Sequence, residues 1–315
     1  MKKIIYHSVI LLMSALLLVF YINTVSNDFL QYQIIFNLIA DFEGSVIEAI
    51  IKYRYEPGFT ALYYYLTRFV AANNAFFIIA FFILTIKYLL FLKYLKYPVA
   101  AWFLYSIVFM PILDASQLRT AIASTMIIYV LLTSSSRGGY IFKAITASMF
   151  HYIALLIMTL TLYKKPFFTL LITSLFALLI NTILGLISND FLKVDMFISR
   201  SNDLSVNFFS SIAAAQLLLS LYCIINWKGF NDEQKKGGLL IMIGILLYYV
   251  LGYNPGIAHR IREISLLGIF PLLFLIRVKV NYTSLMAFTS VFYIGSYSLV
   301  MTIIEPPVSG YLSAQ

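Results

Sequence analysis

Residues 166–188 read PFFTLLITSLFALLINTILGLIS and carry no charged side chain. A stretch of about 20 apolar residues is long enough to cross the hydrocarbon core of a bilayer as a helix. The remaining sequence has the same character: of 315 residues, 62% are hydrophobic and 11% are charged, and the mean hydropathy is +0.91. A soluble domain carries about 25% charged residues. The composition therefore predicts an all-α integral membrane protein.

Apolar runs follow one another along the whole chain and are separated by short loops. They lie at residues 4–22, 58–71, 75–95, 97–113, 118–132, 140–162, 166–188, 207–226, 237–252, 261–276 and 282–304. Several have the length of a membrane span and others are shorter. This pattern predicts about nine to eleven membrane helices, some of them broken or re-entrant. We expect a single polytopic membrane domain over residues 1–315, without a separate soluble domain.

Residues 23–56 form the one long segment that is not simply apolar. Asn27 and Asp28 can cap a helix in which apolar residues recur near the helical period. Ser45 and Glu48 have the spacing of a capping box before a second apolar stretch. We therefore expect two short amphipathic helices in this segment, lying at the outer surface of the membrane.

The basic residues set the predicted orientation in the membrane. The net charge is +9, and the Lys and Arg clusters are Lys2/Lys3, Lys87/Lys93/Lys96, Arg137/Lys143, Lys164/Lys165, Lys228/Lys235/Lys236 and Arg277/Lys279. The positive-inside rule places these clusters in the cytoplasm and the loops at 114–119, 189–206 and 252–262 outside. Because the clusters lie beside apolar runs, the excess of positive charge indicates topology and not a nucleic-acid surface.

The run at 140–162 conflicts with this orientation. Arg137 and Lys165 cannot both be cytoplasmic if the run crosses the membrane once, and about 23 residues are too few for two crossings. Either the rule fails at Lys164 and Lys165, or the segment consists of two half-helices. We favour a break near residues 148–151, which would let His151 line a polar cavity.

Several kinds of site lack the residues that they need. Cys223 is the only cysteine, which excludes an intrachain disulfide and a cysteine metal site. No Asp-x-Asp pair, His-x-x-x-His pair or carboxylate cluster has the spacing of divalent-metal ligands. A Walker loop, a GxSxG motif and a dinucleotide fingerprint are also missing. We therefore expect chemistry that uses neither a metal nor a cofactor.

Ionisable residues at the edges of apolar runs are costly in a membrane, so each is a candidate for function. Glu56 precedes Pro57 at the start of a short run, where it is either a plain helix cap or a reactive carboxylate near the positive end of a helix dipole. Arg119 is predicted in the first turn of a helix, where a cation opposes the dipole. Its charge requires an anion, which is Asp114 or Glu56 within the chain or else a bound ligand.

Two arginines stand at a predicted outward edge in the second half of the chain. Arg260 and Arg262 are permanently charged forked donors, which suit the oxygens of a pyrophosphate. Two other interpretations remain open at this point. Arg260 can pair with Glu263 along a helix, or both arginines can anchor the helix by extending to the interface.

Four short motifs stand in order in the first half of the chain. They are Asp28-Phe29-x-x-Tyr32, Glu56-Pro57-Gly58-Phe59, Ser116-x-x-Arg119-Thr120-x-x-Ala123 and Phe150-His151-x-x-Ala154-Leu155. Together they resemble the EpsG/Wzy-type family of bacterial polysaccharide polymerases, which has Asp-Tyr-x-x-Tyr, Glu-Pro-Gly-Phe, Asn-x-x-Arg-Gln-x-x-Ala and Phe-His-x-Ser-Ala-Leu in these places. In the second half, the resemblance is limited to the outer-edge arginines.

The resemblance implies a membrane glycosyltransferase that joins oligosaccharide units linked to undecaprenyl pyrophosphate, at the outer face of the bacterial cytoplasmic membrane. The implied partners are the lipid-linked donor and acceptor, membrane lipid and a regulator of chain length, with no nucleic acid. The implied catalytic residues are His151, Glu56 and Arg119, with His151 or Glu56 as the base. The implied substrate-binding residues are Arg119, Arg260, Arg262, Gln117, Asp28, Tyr32 and Arg54.

Two other functions fit much of the same pattern. A flippase or transporter for lipid-linked glycans would also have broken helices and charges within the membrane, although the lack of a detectable internal repeat counts against it. A glycan ligase, which moves a finished polymer to a different acceptor, would use nearly the same chemistry as a polymerase.

Overall fold

The computed structural model describes residues 2–24, 28–115, 117–133, 136–187, 207, 209–252, 254–275 and 282–304. Within these ranges the secondary structure is helical throughout, without a strand. The α-helices are α1 Lys2–Thr24, α2 Asp28–Ala40, α3 Val46–Tyr53, α4 Pro57–Leu66, α5 Ala72–Tyr94, α6 Pro98–Val108, α7 Leu118–Leu132, α8 Arg137–Ser148, α9 Pro166–Ile187, α10 Ser211–Asn226, α11 Asp232–Val250, α12 Pro255–Ser265, α13 Ile269–Phe274 and α14 Tyr282–Ile304. A π-helical turn spans Met110–Ala115, and the longest 3-10 helix spans Tyr152–Leu162.

Among the described residues, three helices are long and apolar enough to cross a membrane. These segments are Ile5–Ile22, Asn74–Tyr94 and Ser211–Gly229. Shorter apolar helices lie at Pro98–Val108, Leu118–Leu132, Tyr152–Leu162 and Pro166–Leu179. Large apolar side chains of α9, such as Phe167 and Phe176, are exposed on the outside of the fold. Exposure of a large apolar surface to water is unfavourable, so a membrane is the expected environment of this surface.

The chain divides into two compact units. The first contains residues 1–129, 142–155 and 295–315, and the second contains residues 130–141 and 156–294. In the first unit, α2 packs against α4 and α5, and α1 packs against α5 and the π-helical turn. Its core is aromatic: the rings of Phe36 and Tyr63 stack with centroids 3.5 Å apart.

A buried ion pair lies inside the first unit. Lys87 Nζ of α5 is 2.5 Å from Asp114 Oδ1 in the π-helical turn, and neither side chain is exposed. Lys87 also donates to the Tyr105 hydroxyl, which in turn donates to Asp114 Oδ2 over 2.7 Å. The predicted position of both residues in loops is therefore wrong, because Lys87 lies within α5 and Asp114 lies in a buried π-helical turn. Of the two anions within the chain that could compensate Arg119, Asp114 pairs with Lys87 instead.

The predicted break near residues 148–151 is confirmed. The helix α8 ends at Ser148, a turn follows, and the chain continues from Tyr152 as a 3-10 helix. The backbone N–H of His151 reaches back to the carbonyl of Ala147, so part of the open helix end is satisfied locally. The break places His151 at the junction between the two segments, where the residue is buried.

The segment before α4 contains two short helices, as predicted. The capping box of Ser45 and Glu48 is present at the start of α3. The helix α2 buries Tyr32 and Phe36, but its exposed residues Ile34 and Leu38 are apolar as well. The prediction of an amphipathic helix is therefore wrong for α2, because apolar residues stand on both of its faces.

The second unit is built around α11, which packs against α9, α10, α12 and α13. Glycines allow this close packing: a Cβ at Gly237 would lie 2.5 Å from the carbonyl oxygen of Gly268. Lys236 of α11 is buried and donates to the carbonyl oxygens of Val130 and Thr133 at the end of α7. A lysine at that position satisfies acceptors that a helix C-terminus leaves open.

The second unit also corrects two boundaries. The run predicted at 261–276 is divided into α12, a 3-10 turn at Leu266–Gly268 and α13, so it is not one continuous helix. The predicted outward loop at 252–262 is largely helical, because α12 begins at Pro255. The predicted loop at 189–206 lies outside the described residues.

Candidate active site

The connection between α3 and α4 positions Glu56. Arg54 ends α3 with φ 53°, in the left-handed region, which turns the chain sharply towards Tyr55 and Glu56. Glu56 occupies the N-cap position of α4, followed by Pro57 in the first turn. Its side chain makes no capping hydrogen bond. The carboxylate is therefore available to other parts of the first unit.

The turn before His151 is docked onto the first turn of α4. The backbone N–H of Gly58 donates to the carbonyl oxygen of Met149 over 2.9 Å. A Cβ at Gly58 would lie 3.0 Å from both the Cβ and the carbonyl oxygen of Met149. The absence of a side chain at residue 58 therefore permits the contact that brings the chain at Glu56 beside the chain at His151.

The Glu56 carboxylate lies between a guanidinium and an imidazole. Its Oε2 atom accepts a hydrogen bond from Arg119 Nη1 over 2.7 Å. Its Oε1 atom is 3.6 Å from His151 Nδ1. The side chains of Arg119, Glu56 and His151 are 31%, 14% and 7% exposed. The arginine is therefore the most accessible member of the group, and the histidine is the most enclosed.

Aromatic side chains hold the Arg119 guanidinium from other directions. The centre of the guanidinium is 5.3 Å from the Tyr55 ring and 5.9 Å from the Phe59 ring. Arg119 Nε also approaches the Tyr32 hydroxyl at 3.4 Å. Cation–π contacts and charge-assisted hydrogen bonds fix the orientation of the planar fork. The arginine lies in the first turn of α7, as predicted, and Glu56 is the anion that compensates it.

The structure brings together four of the residues that the sequence singled out, namely Tyr32, Glu56, Arg119 and His151. Gln117 directly precedes α7, and its Oε1 atom is buried without a hydrogen-bond partner among the described residues. Arg54 is exposed at the end of α3. Asp28 is the first residue of α2, and its side chain lies outside the described part of the structure.

Arg260 and Arg262 belong to the second compact unit, on α12. Arg262 is 8% exposed, so it does not extend to a surface as an anchoring arginine would. An ion pair between Arg260 and Glu263 is not among the ion pairs of the described residues, which involve Lys87, Arg119 and His151.

Sequence reasoning missed the roles of Tyr55, Phe59 and Gly58 in the site. Phe59 was visible only as the last residue of the Glu56-Pro57-Gly58-Phe59 motif. Tyr55 was visible only as an aromatic residue near a membrane edge, where it has an ordinary interfacial explanation. The Pro57-Gly58 pair was a usable signal, because a glycine inside the first turn of a helix is unfavourable and requires a reason. The close approach of Met149 supplies that reason.

The arrangement combines a permanent cation, a carboxylate and an imidazole in a partly enclosed site. An arginine can stabilise an anionic leaving group, and an imidazole beside a carboxylate can accept a proton from a hydroxyl. Within the described residues, no group of three or more His, Cys, Asp or Glu side chains could hold a metal ion.

No curated protein matches the chain. No solved structure matches it either. The EpsG family model matches residues 3–312, which is nearly the whole chain and includes both compact units. The chain therefore belongs to the EpsG family.

Proposed function

We propose that this protein is a membrane glycosyltransferase that polymerises oligosaccharide units carried on undecaprenyl pyrophosphate. Membership of the EpsG family suggests a function of the polysaccharide-polymerase type. The observation that carries the finer proposal is the position of the Glu56 carboxylate between Arg119 and His151, at 2.7 Å and 3.6 Å. Transfer of a glycosyl group from a lipid pyrophosphate requires a cation for the leaving group and a base for the acceptor hydroxyl, and these residues can supply both.

The proposed reaction moves the growing chain from its carrier to an incoming unit. A sugar hydroxyl of the acceptor forms a new bond to the anomeric carbon of the donor, and the bond from that carbon to the pyrophosphate oxygen breaks. The electron pair leaves with the pyrophosphate, and the hydroxyl proton passes to the general base. Arg119 stabilises the charge on the leaving group, since a fixed guanidinium fork matches phosphate oxygens.

His151 is the better general base of the two candidates. Both oxygens of Glu56 face positive or potentially positive groups, because Oε2 accepts from Arg119 and Oε1 faces His151. Both oxygens therefore already lie against neighbouring side chains, which leaves His151 as the group to accept the hydroxyl proton. The carboxylate can instead orient the imidazole and stabilise the imidazolium that forms when His151 takes the proton. We therefore assign Glu56 the role of a positioning residue.

The proposed location is the outer face of the bacterial cytoplasmic membrane, with the chain crossing several times as one polytopic domain. The apolar exposed surface of helices such as α9 and the three span-length helices support a membrane environment. The partners in this proposal are the lipid-linked donor and acceptor, membrane lipid and a regulator of chain length. No cofactor is required, because the leaving group is stabilised by an arginine.

A glycan ligase is the second candidate, because an arginine for the leaving group and a base for the acceptor serve both reactions. A flippase is less well supported, since transport does not require a base next to a leaving-group cation. The products in cells separate these functions. A polymerase defect leaves single units attached, whereas a ligase defect leaves full-length chains on the carrier.

The deciding experiment is a gel of surface glycan from a strain that lacks this protein, and from the same strain after complementation. We expect the ladder of chain lengths to collapse to one unit and to return on complementation. An unchanged ladder, or an accumulation of long chains on the carrier lipid, would contradict the polymerase assignment.

A further inference from the structure

The chain just before Arg119 is anchored by a buried ion pair. Asp114 lies in the π-helical turn Met110–Ala115, and Arg119 follows five positions later as the second residue of α7. The Asp114 carboxylate binds Lys87 of α5 at 2.5 Å and accepts a hydrogen bond from Tyr105 of α6 at 2.7 Å. Three side chains from three elements therefore fix the place at which the chain enters α7.

Backbone hydrogen bonds connect this turn to α7. The N–H of Gln117 donates to the carbonyl oxygen of Leu113 over 3.1 Å, and the N–H of Ala121 donates to the carbonyl oxygen of Gln117 over 2.8 Å. Leu113 and Leu118 are fully buried, so packing also holds both sides of the connection. A displacement of the turn is therefore passed on to the first turn of α7, where Arg119 lies.

Stability alone does not account for the pair of Lys87 and Asp114. Neither side chain is exposed, and removing two charges from water is so costly that apolar residues of similar volume are often at least as stabilising in their place. A buried pair that shares hydrogen bonds does impose one geometry, because water cannot replace a partner that has moved. In addition, π-helical turns are rare and occur frequently at functional sites. These properties favour a role in positioning the chain.

The contacts of Arg119 require such a fixed position. Its Nη1 atom donates to Glu56 over 2.7 Å, and its guanidinium lies beside the rings of Tyr55 and Phe59. All three partners lie within residues 55–59, around the start of α4. A shift of about 1 Å between the starts of α7 and α4 would lengthen the contact with Glu56 beyond hydrogen-bond distance.

We propose that Lys87 and Asp114 are positioning residues, which hold the guanidinium of Arg119 in contact with Glu56 through the π-helical turn. The pair acts on the site through the backbone of the turn and of α7. The position of Arg119 is independent of the proposed function. The consequence for glycosyl transfer rests on that function, because Arg119 is the group that stabilises the leaving pyrophosphate in it.

The test measures the rate at which phenylglyoxal, a reagent for guanidinium groups, modifies Arg119 in the purified full-length protein. Peptide mass spectrometry resolves the individual arginines. The double variant Lys87→Met/Asp114→Leu removes both charges and keeps side chains of similar size. We expect Arg119 to react at least about threefold faster in it than in the parent protein, which corresponds to the loss of one hydrogen bond of ordinary strength. Glu56→Gln gives the reference rate for an arginine without its carboxylate partner.

Two controls separate a displaced Arg119 from a loosened fold. Arg68 is an exposed arginine of the same unit, and its rate should not change in the double variant. Ser14→Ala removes the oxygen that accepts from Trp102 Nε1 over 2.8 Å, which is a buried bond between α1 and α6. Both helices pack against the π-helical turn, but this bond does not involve Asp114. We expect an unchanged rate at Arg119 in the Ser14→Ala protein.

Ala115→Gly keeps the test decisive if the double variant does not fold. Ala115 is the last residue of the π-helical turn, and glycine there frees the backbone between the ion pair and α7 without removing a charge. We expect faster modification of Arg119 in this variant as well. An unchanged rate at Arg119 in a folded double variant overturns the proposal, and so does an equal acceleration at Arg68. With an unfolded double variant, the same two outcomes in Ala115→Gly overturn it.

Surface glycan from complemented strains measures the consequence for transfer. At equal protein levels the double variant should give a shorter ladder than Ser14→Ala, because a displacement of about 1 Å between reacting groups can cost about a hundredfold in rate. Faster modification of Arg119 in a protein whose deletion leaves the ladder intact would uphold the positioning role and reject the polymerase function. Unchanged modification, together with a ladder that collapses on deletion, would do the reverse. The two proposals therefore fail separately.

Discussion

Gly58 donates its backbone N–H to the carbonyl oxygen of Met149 over 2.9 Å. Gly58 lies in the first turn of α4, where N–H groups have no partner within the helix, and Met149 follows the end of α8, where carbonyl groups have none. Each helix end therefore satisfies a group of the other. The bond also sets the separation between Glu56 and His151, because both residues lie within two positions of it.

The first prediction concerns Gly58→Ala. The new Cβ would lie 3.0 Å from backbone and side-chain atoms of Met149, which is too close for an unstrained contact. We expect the two segments to separate, with a loss of stability of about 1–3 kcal/mol. A displacement of about 1 Å between reacting groups can cost about a hundredfold in rate. Glycan ladders and thermal unfolding of the purified protein measure the two effects.

Gly138→Ala is the matched control for this prediction. Gly138 also lies in the first turn of a helix, but a Cβ there would meet nothing within 4 Å. We expect unchanged ladders and equal or slightly higher stability, since alanine is the better helix former. Equal behaviour of the two alanine variants would mean that the contact at Met149 does not position the site.

The second prediction concerns the buried pair of Lys87 and Asp114. Replacing either residue alone, as in Lys87→Met or Asp114→Leu, leaves one uncompensated charge inside the fold. We expect each single variant to lose about 3–5 kcal/mol of stability. The double variant removes both charges, and its loss should be clearly smaller than that of either single variant. Unfolding temperatures in detergent, compared across all four proteins, provide the measurement.

An additive result in this cycle would contradict the buried ion pair, because independent residues show no interaction energy. Tyr105→Phe gives a further check. It removes the hydroxyl that bridges Lys87 and Asp114, at 2.7 Å from each, while it keeps the ring. We expect a loss of about 1–3 kcal/mol in an otherwise unchanged protein, and no loss in the double variant background.

The third prediction concerns the packing of α11 in the second unit. A Cβ at Gly244 would lie 1.7 Å from Ser265 Oγ and 2.1 Å from Ser265 Cβ. We expect Gly244→Ala to displace α12 from α11 and to lower stability by about 3 kcal/mol, at the upper end of the usual overpacking cost. Gly229→Ala is the control, since a Cβ at that residue would have no neighbouring atom within 4 Å.

Substitutions at Ser265 identify the atom responsible for this clash. Ser265→Ala removes the hydroxyl but leaves the Cβ atom, so it should not rescue Gly244→Ala. Ser265→Gly removes both atoms and should restore part of the stability lost in the Gly244→Ala protein. Rescue by Ser265→Ala would show that the hydroxyl alone causes the conflict and that the helices can adjust around the Cβ atoms.

The bounds of a helix were predictable from the sequence where one apolar run corresponds to one helix. The run at 118–132 became α7 with the same limits, and the parity conflict correctly located the break before His151. Hydropathy could not distinguish the two faces of α2, because Ile34 and Leu38 are apolar although they are exposed. The division of 261–276 into α12 and α13 was also missed, because hydropathy alone does not locate a 3-10 turn within a run.

The membership of the candidate site was more predictable than its geometry. Glu56, Arg119 and His151 stood out as ionisable residues beside apolar runs, and the structure places them together. The partners of the charges depend on tertiary contacts that spacing does not encode. The positive-inside rule counts Lys87 as a cytoplasmic cation because the rule uses the positions of charges in the sequence and not their neighbours in space. In the structure, Asp114, which is 27 residues away, pairs with Lys87 inside the fold.

Arg119 allows the sharpest prediction for a single residue. A structural ion pair with Glu56 and stabilisation of the leaving group predict effects of different size when the arginine is removed. The side chain is 31% exposed, and a partly exposed ion pair with Glu56 contributes about 0–1 kcal/mol to stability. A charged donor that stabilises a leaving group is worth about 3 kcal/mol in the transition state, or about a hundredfold in rate. Arg119→Ala should therefore fold with nearly normal stability and yet lose the glycan ladder.

The comparison with lysine separates charge from geometry at Arg119. Arg119→Lys keeps a cation beside Glu56 but loses the forked donor, so its ladder should be shorter than that of the parent protein and longer than that of Arg119→Ala. Arg68→Ala is the control, since Arg68 is an exposed arginine of the same unit that donates to the carbonyl oxygens of Ala40 and Phe42. Polymer length is compared at equal protein levels. A normal ladder from Arg119→Ala would make the arginine a structural partner of Glu56 alone, because a group that stabilises the leaving pyrophosphate cannot be removed without slowing the transfer.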